Sequence, residues 1–175
     1  MKEFGGTAIF LDRNDINTDE IIPAKYLTEI SKAALKPHLL EDLLLEGQSF
    51  DPQGKELQDA KVVVSRGNFG CGSSREHAVW AFEVNDINII IAESFARIFR
   101  QNMFNCGILA IELPRKDINE LFNMEGTLSF AVNMEKQQLL ASSSGKEKSF
   151  SFEINGFDKD LVSAGGWLAY ADSKY

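Results

Sequence analysis

Between Gly67 and Ala78 the chain reads Gly-Asn-Phe-Gly-Cys-Gly-Ser-Ser-Arg-Glu-His-Ala. No other stretch gathers so many groups able to act on a small anion. The doubled hydroxyls of Ser73 and Ser74 adjoin the guanidinium of Arg75, and His77 follows two positions on. An apolar β-branched run, Val62-Val63-Val64, precedes the segment, and a helix-like stretch from Arg75 to Val84 ends it. A flexible glycine loop is therefore expected to feed a helix N-terminus, whose first backbone N–H groups lack partners inside the helix. Arg75 adds a planar fork that matches a carboxylate. The expected ligand is small and negatively charged.

Two nucleotide-binding patterns come close and fail. Gly67 and Gly72 have the spacing of a phosphate-binding P-loop, but Ser73 stands where its lysine is required. Gly70 and Gly72 begin a Gly-x-Gly-x-x-Gly pattern, but Arg75 occupies the third glycine position. A plainer reading competes with chemistry: Ser73 and Glu76 form a Ser-x-x-Glu capping box, in which each side chain satisfies the other's backbone N–H. The density of Gly, Ser, Arg and His in one loop is what favours a site.

The elements that must position this loop follow from periodicity. Strands are expected at Thr7 to Leu11, Lys61 to Ser65, Ile87 to Ala92 and Ile108 to Leu113. A helix is expected over 31 to 46, opened by Ser31, closed by Gly47 and kinked or restarted at Pro37. Another follows the third strand with Ser94 as N-cap candidate, and its stripe Phe95, Ile98, Phe99 and Met103 reads as core. The polar run Asp12 to Asp19 resembles a calcium loop, but Glu20 and Tyr26 stand where an EF-hand needs Gly and Glu, so Asx turns explain it better. Alternating strands and helices imply a parallel sheet with helices on its faces. After Pro114 comes a short helix near Asp117 to Phe122. Short strands at Thr127 to Val132, Gln137 to Ala141 and Ser149 to Ile154 then suggest an antiparallel meander. A closing helix from Phe157 towards Tyr170 is interrupted by Gly165-Gly166. The class is α/β, a mixed sheet flanked by helices.

Length and charge set bounds. With 175 residues the chain suits one compact domain, 1–175. No apolar run approaches the roughly 20 residues of a membrane span, and Met1-Lys2-Glu3-Phe4 lacks the apolar region of a signal peptide; a cytoplasmic protein is expected. The net charge of −8 opposes nucleic-acid binding. A dianionic ligand then needs local positive charge, and Arg66, Arg75, Arg97 and Arg100 cluster around the loop and the next strand, although some of these could be surface ion pairs. Cys71 and Cys106 are the only cysteines, too few for a zinc or iron–sulfur site. They read as reduced, partly buried thiols, with no metal expected in this chain.

Four motifs carry a family resemblance. Gly72-Ser-Ser-Arg-Glu-His-Ala78 is similar to a motif of the swivelling domain of the aconitase superfamily, and so are Asn17-Thr-Asp-Glu-Ile-Ile-Pro-Ala-Lys-Tyr-Leu27, Ser94-Phe-Ala-Arg-Ile-Phe99 and Ala164-Gly-Gly-Trp-Leu168. They lie in order across nearly the whole chain. At this length the chain resembles the separate small subunits of the 3-isopropylmalate dehydratase type. The resemblance implies a β/β/α swivelling fold and a large-subunit partner holding a [4Fe–4S] cluster, one iron of which acts as Lewis acid on the substrate. It implies Ser73 as the alkoxide base, Ser74 as its hydrogen-bonding support and Arg75 as the carboxylate holder. Glu76 and His77 belong to the motif and read mainly as scaffold, with an acid–base role for His77 left open. The implied reaction removes water from a 2-hydroxy dicarboxylate and readds it in the other regiochemistry, interconverting 2- and 3-isopropylmalate in leucine biosynthesis. The family's side-chain-reading loop maps to Tyr26 to Ile30. Leu27, Thr28 and Ile30 would line that end of the substrate pocket, and Leu27 and Ile30 could pack an isopropyl group. No arginine is present there for a third carboxylate, and Glu29 would repel one. Homoaconitate-type and methylmalate-type hydratases remain alternatives, as does a non-catalytic small-anion-binding domain.

Overall fold

The runs Val62-Val63-Val64 and Ile89-Ile90-Ile91 have no polar alternation, and strands of that kind need apolar cover on both faces. A computed structural model describes residues 2–175 and gives them that cover. Strand β1 (Gly5–Phe10) pairs in parallel with β2 (Val62–Val64), which pairs with β3 (Ile89–Ala92), which pairs with β4 (Leu109–Glu112). On its other edge β1 runs antiparallel to β5 (Ser129–Asn133), followed by β6 (Gln138–Ser143) and β7 (Lys146–Ser151). The result is one seven-stranded mixed sheet in the order β4-β3-β2-β1-β5-β6-β7. The expected parallel run and antiparallel meander are both present, with ends shifted by a few residues.

Helices α1 (Thr18–Ile21), α2 (Lys55–Asp59), α3 (His77–Val84), α4 (Arg97–Asn105), α5 (Arg115–Asn123), α6 (Gly156–Ala164) and α7 (Trp167–Lys174) complete the architecture. Helix α4 packs against α3, α6 and α7. The junction of α6 and α7 is made by Gly165 and Gly166, both with φ above +90°. A Cβ on Gly166 would lie 2.5 Å from the Asn105 carbonyl oxygen, and one on Gly107 would lie 2.5 Å from that of Gly165. Backbone meets backbone there, which only glycine permits.

Three expectations change. The segment 31 to 46 is not an α-helix: a 3₁₀ stretch, Lys32–His38, contains Pro37, and turns follow in which Leu40 adopts φ 59°. Pro37 removes one backbone donor, while Leu35, Leu39, Leu40 and Leu43 still reach the core. Their spacing therefore mimics a helical stripe. Helix α3 begins at His77 rather than Arg75, with Glu76 before it making no side-chain cap. Helix α4 is preceded by Ala96, and Ser94 serves another purpose.

Candidate active site

The loop from Ser65 to Glu76 is strung between two neighbouring connections almost as an extra strand. On one side Gly67 N donates to Asn14 Oδ1 (2.8 Å), Gly70 N to the Ile16 carbonyl (2.8 Å), and Thr18 N to the Cys71 carbonyl (2.8 Å). On the other side Asn68 N donates to Ser94 Oγ (2.8 Å), Phe69 N to the Ser94 carbonyl (3.0 Å), and Ala96 N to the Phe69 carbonyl (3.0 Å). Ser94 thus ties the loop down instead of capping α4.

Phe69 anchors the loop from beneath. It is buried, with its ring centroid 5.9 Å from Phe82, 6.1 Å from Phe95 and 5.7 Å from Phe99. Gly70 lies flat over Phe99 at φ +81°, where a Cβ would stand 2.2 Å from that ring. The glycines thus serve close packing and a positive φ, and they belong to a fastened loop.

Above this base Ser73, Ser74 and Arg75 are exposed. Ser73 N donates to the buried Thr18 Oγ1 (3.0 Å), and Ser73 Oγ accepts from Arg75 N (3.2 Å). Asn102 on α4 donates to the Ser74 carbonyl (3.2 Å). The Ser73–Glu76 capping box does not form, because the helix starts one residue beyond Glu76 and the serine turns back to the Arg75 amide. The chain's capping box lies on α1 instead: Asn17 Oδ1 accepts from Glu20 N (3.0 Å), and the Glu20 carboxylate accepts from Asn17 N. Glu20 also forms a close two-point pair with Arg13, whose guanidinium holds its carboxyl below the usual range.

A cleft of about 830 Å³ opens beside the serines, walled by Gly70, Gly72, Ser73, Ser74, the start of α4 and the start of α6. Arg97 and Arg100 border it. The four arginines expected to cluster around the loop, Arg66, Arg75, Arg97 and Arg100, divide two and two. Arg66 is held by Asp12 and Asn119 over the Phe122 ring; Arg100 lies over the Phe104 ring with Glu112 3.9 Å away. Arg75 and Arg97 are exposed and have no ion-pair partner among the described residues.

Leu27, Thr28 and Ile30 do not line this cleft. Leu27 packs partly against the core, Thr28 is exposed, and Ile30 is 97% exposed. Their segment meets the loop region through the Glu29 carbonyl, 3.1 Å from His77 Nε2 at the start of α3. Sequence reasoning missed Thr18 and Asn102 as supports of the serines. Thr18 lay within a quoted motif, whereas Asn102 had no local signal.

The thiols offer little reactivity. Burial pushes Cys71 up, with Asp15 adding to it, and takes Cys106 to about 12. Among the described residues no three His, Cys, Asp or Glu side chains converge as metal ligands. With two cysteines, Cys71 and Cys106, the sequence has too few thiolates to hold an iron–sulfur cluster by itself.

The aconitase C-terminal domain model matches residues 1–116. Over 165 residues the chain is 35% identical to the 3-isopropylmalate dehydratase small subunit of Francisella tularensis subsp. novicida, covering 94% of this chain and 86% of that one. The chain belongs to the 3-isopropylmalate dehydratase small-subunit family. A small subunit from Leptospira interrogans is 36% identical over 172 residues, covering 91% and 82%. The crystal structure of 3-isopropylmalate dehydratase from Methanocaldococcus jannaschii superposes with a TM-score of 0.79 at 28% identity, over 99% of this chain and 95% of that one. The small-subunit family thus extends over both halves of the sheet. The domain model ends just after β4 and contains the serine loop and its fastenings, apart from the α6 wall of the cleft.

Proposed function

We propose that this chain is the small subunit of a cytoplasmic hydro-lyase that interconverts 2-isopropylmalate and 3-isopropylmalate in leucine biosynthesis. In this reading the whole chain acts as one swivelling domain against a large subunit, and that subunit carries the [4Fe–4S] cluster. The observation that carries the proposal is the exposed Ser73-Ser74 pair on a loop fastened at both sides, next to two unpaired arginines.

Ser73 is the base. Its Oγ, as the alkoxide, takes the carbon-bound proton and becomes a neutral hydroxyl. The C–H electron pair forms the new double bond, and the hydroxyl on the adjacent carbon departs as hydroxide, leaving a cis-alkene dicarboxylate. That hydroxide and the abstracted proton together are the water eliminated. Return of the proton and of water in the other regiochemistry gives the isomer. A serine oxygen strong enough for this needs donors already in place. The Arg75 amide, 3.2 Å from Ser73 Oγ, supplies one, and Ser74 supports the base by hydrogen bonding. The Arg75 guanidinium holds a substrate carboxylate. Ser73 is open to solvent here, so water is excluded by the large subunit closing on the loop. Leu27, Thr28 and Ile30 stand outside the cleft of this chain, and in this reading they face the substrate's isopropyl group once the large subunit has closed on the loop.

The test is reconstitution with the cognate large subunit and assay on isopropylmaleate, wild type against Ser73→Ala. Loss of the base lowers kcat by about 10³-fold or more with a modest change in KM. Stability stays within about 0.5 kcal/mol, because Ser73 caps no helix and is exposed. A mutant that keeps its turnover removes Ser73 from the chemistry. A reconstituted wild type with no hydratase activity returns the chain to non-catalytic anion binding.

A further inference from the structure

The chain has two histidines, and both grip the segment Tyr26 to Ile30. At its front, the Tyr26 ring stacks on His38 with centroids 3.9 Å apart and planes 15° from parallel. Glu41 joins the two, accepting from Tyr26 OH (2.9 Å) and bonding His38 Nδ1 (2.8 Å). At its back, His77 Nε2 lies 3.1 Å from the Glu29 carbonyl oxygen. Between these anchors Thr28 points to solvent, and Ile30 just beyond them is almost wholly exposed.

The chemistry of the second anchor is settled by its partner. A carbonyl oxygen only accepts, so His77 Nε2 carries the hydrogen and donates it. In the neutral ring Nδ1 is then a bare acceptor, and it is buried with no hydrogen-bond partner. One nitrogen is engaged by the Glu29 carbonyl and the other is buried, so the contacts the ring makes within the chain are those of a support. The ring also packs against Trp80, with centroids 4.7 Å apart, which fixes its orientation.

We propose that His77 is a positioning residue that sets the distance between the serine loop and the substrate-reading segment, and so governs which side chain the enzyme accepts. The inference rests on the proposed role of Tyr26 to Ile30. His77 is the first residue of α3, four positions after Ser73. One rigid element thereby carries the end of the base loop and holds the wall for the variable group. A substrate whose reacting carbons sit at Ser73 meets that wall at a separation fixed by one hydrogen bond.

The test uses His77→Leu and His77→Gln in the full chain and in the reconstituted complex. Leucine fills the ring's space without a donor, whereas the glutamine amide restores a donor at about the reach of Nε2. In the full chain, His77→Leu raises amide hydrogen exchange at residues 27 to 30 by about 3- to 10-fold, and His77→Gln returns it most of the way. In the complex, His77→Leu raises KM for isopropylmaleate and erodes its preference over citraconate by about the same factor, with kcat changed less and the pH profile of kcat unaltered. Unchanged exchange in His77→Leu overturns the proposal. So does an equal loss of kcat in both variants with disappearance of one limb of the pH profile, which would make His77 an acid–base group. A preference that responds to Thr28→Arg but not to His77→Leu overturns this inference while leaving the segment as the reader. A preference that responds to neither, in a complex that still loses turnover on Ser73→Ala, overturns both this inference and the segment's role while sparing the base.

Discussion

The two halves of the sheet are built on opposite rules. In the parallel half, β2 and β3 are buried at every residue, and the loops leaving their ends carry Ser73, Ser74 and the Ser94 tether. In the antiparallel half, β5 and β6 alternate between exposed and covered positions, β7 buries only Phe150, and none of their residues borders the serine cleft. A strand covered on both faces cannot shift its register without moving apolar side chains on each. Loops that must hold a base to within a fraction of an ångström are therefore best mounted there. The one-faced meander completes the core and leaves the chemistry alone.

The sharpest way to break that contrast is to remove one buried phenyl ring from each half. Phe69→Ala and Phe150→Ala should each cost about 3–5 kcal/mol by denaturant unfolding, since both are buried. Only Phe69→Ala should also collapse kcat in the protein that remains folded, because the serine loop rests on that ring. Equal kinetic damage from Phe150→Ala would mean that the two halves are coupled.

Next in size is a change in what the site accepts. Thr28→Arg combined with Glu29→Gln should shift relative kcat/KM from isopropylmaleate towards cis-homoaconitate by about 10- to 150-fold, the worth of one charge-assisted hydrogen bond. An unchanged ratio would remove the only residue-level support for an isopropyl substrate.

A smaller effect comes from a buried hydroxyl in each half. Thr18→Val and Ser143→Ala each remove a hydrogen bond, from Ser73 N to Thr18 Oγ1 and from Ser143 Oγ to the Glu125 carbonyl respectively. Each should cost about 1 kcal/mol of stability. Thr18→Val alone should lower kcat, by about tenfold, as the Ser73 amide loses its acceptor.

The smallest effect depends on pH. Glu20 ionises below its usual 4.5 in the folded chain because Arg13 binds it. A lowered folded-state value contributes stability above pH 4.5 that is lost as pH falls through the lowered value. Glu20→Gln should therefore be less stable than wild type at pH 7, and unfolding curves should converge as pH drops below 4.5. A gap that persists in acid would assign the loss to the capping box instead.

How much of this could be read from residue order depends on what fixes each element. The parallel strands were legible because Val62 to Val64 and Ile89 to Ile91 admit only an arrangement buried on both faces. The meander was legible from its turn residues. The stretch 31 to 46 was misleading because leucines at helical spacing can be buried by 3₁₀ turns as well, and Pro37 decided between them. The motif serines were found, but not their geometry. Whether Ser73 caps a helix depends on backbone angles over the next four residues, and the supports at Thr18 and Asn102 come from distant parts of the chain.

The backbone contact of Gly107 with Gly165, and of Gly166 with Asn105, has a consequence for the order of events during synthesis. The serine loop is translated early, yet the cleft wall opposite it includes Asn155 and Asp158, and α4 is clasped by the glycine junction that follows. Domains begin to fold from the N-terminal side as they emerge, so the parallel strands can assemble first, with α4 still unclasped. The serine cleft becomes whole only once the glycine junction has formed, and until then the loop stands without its far wall.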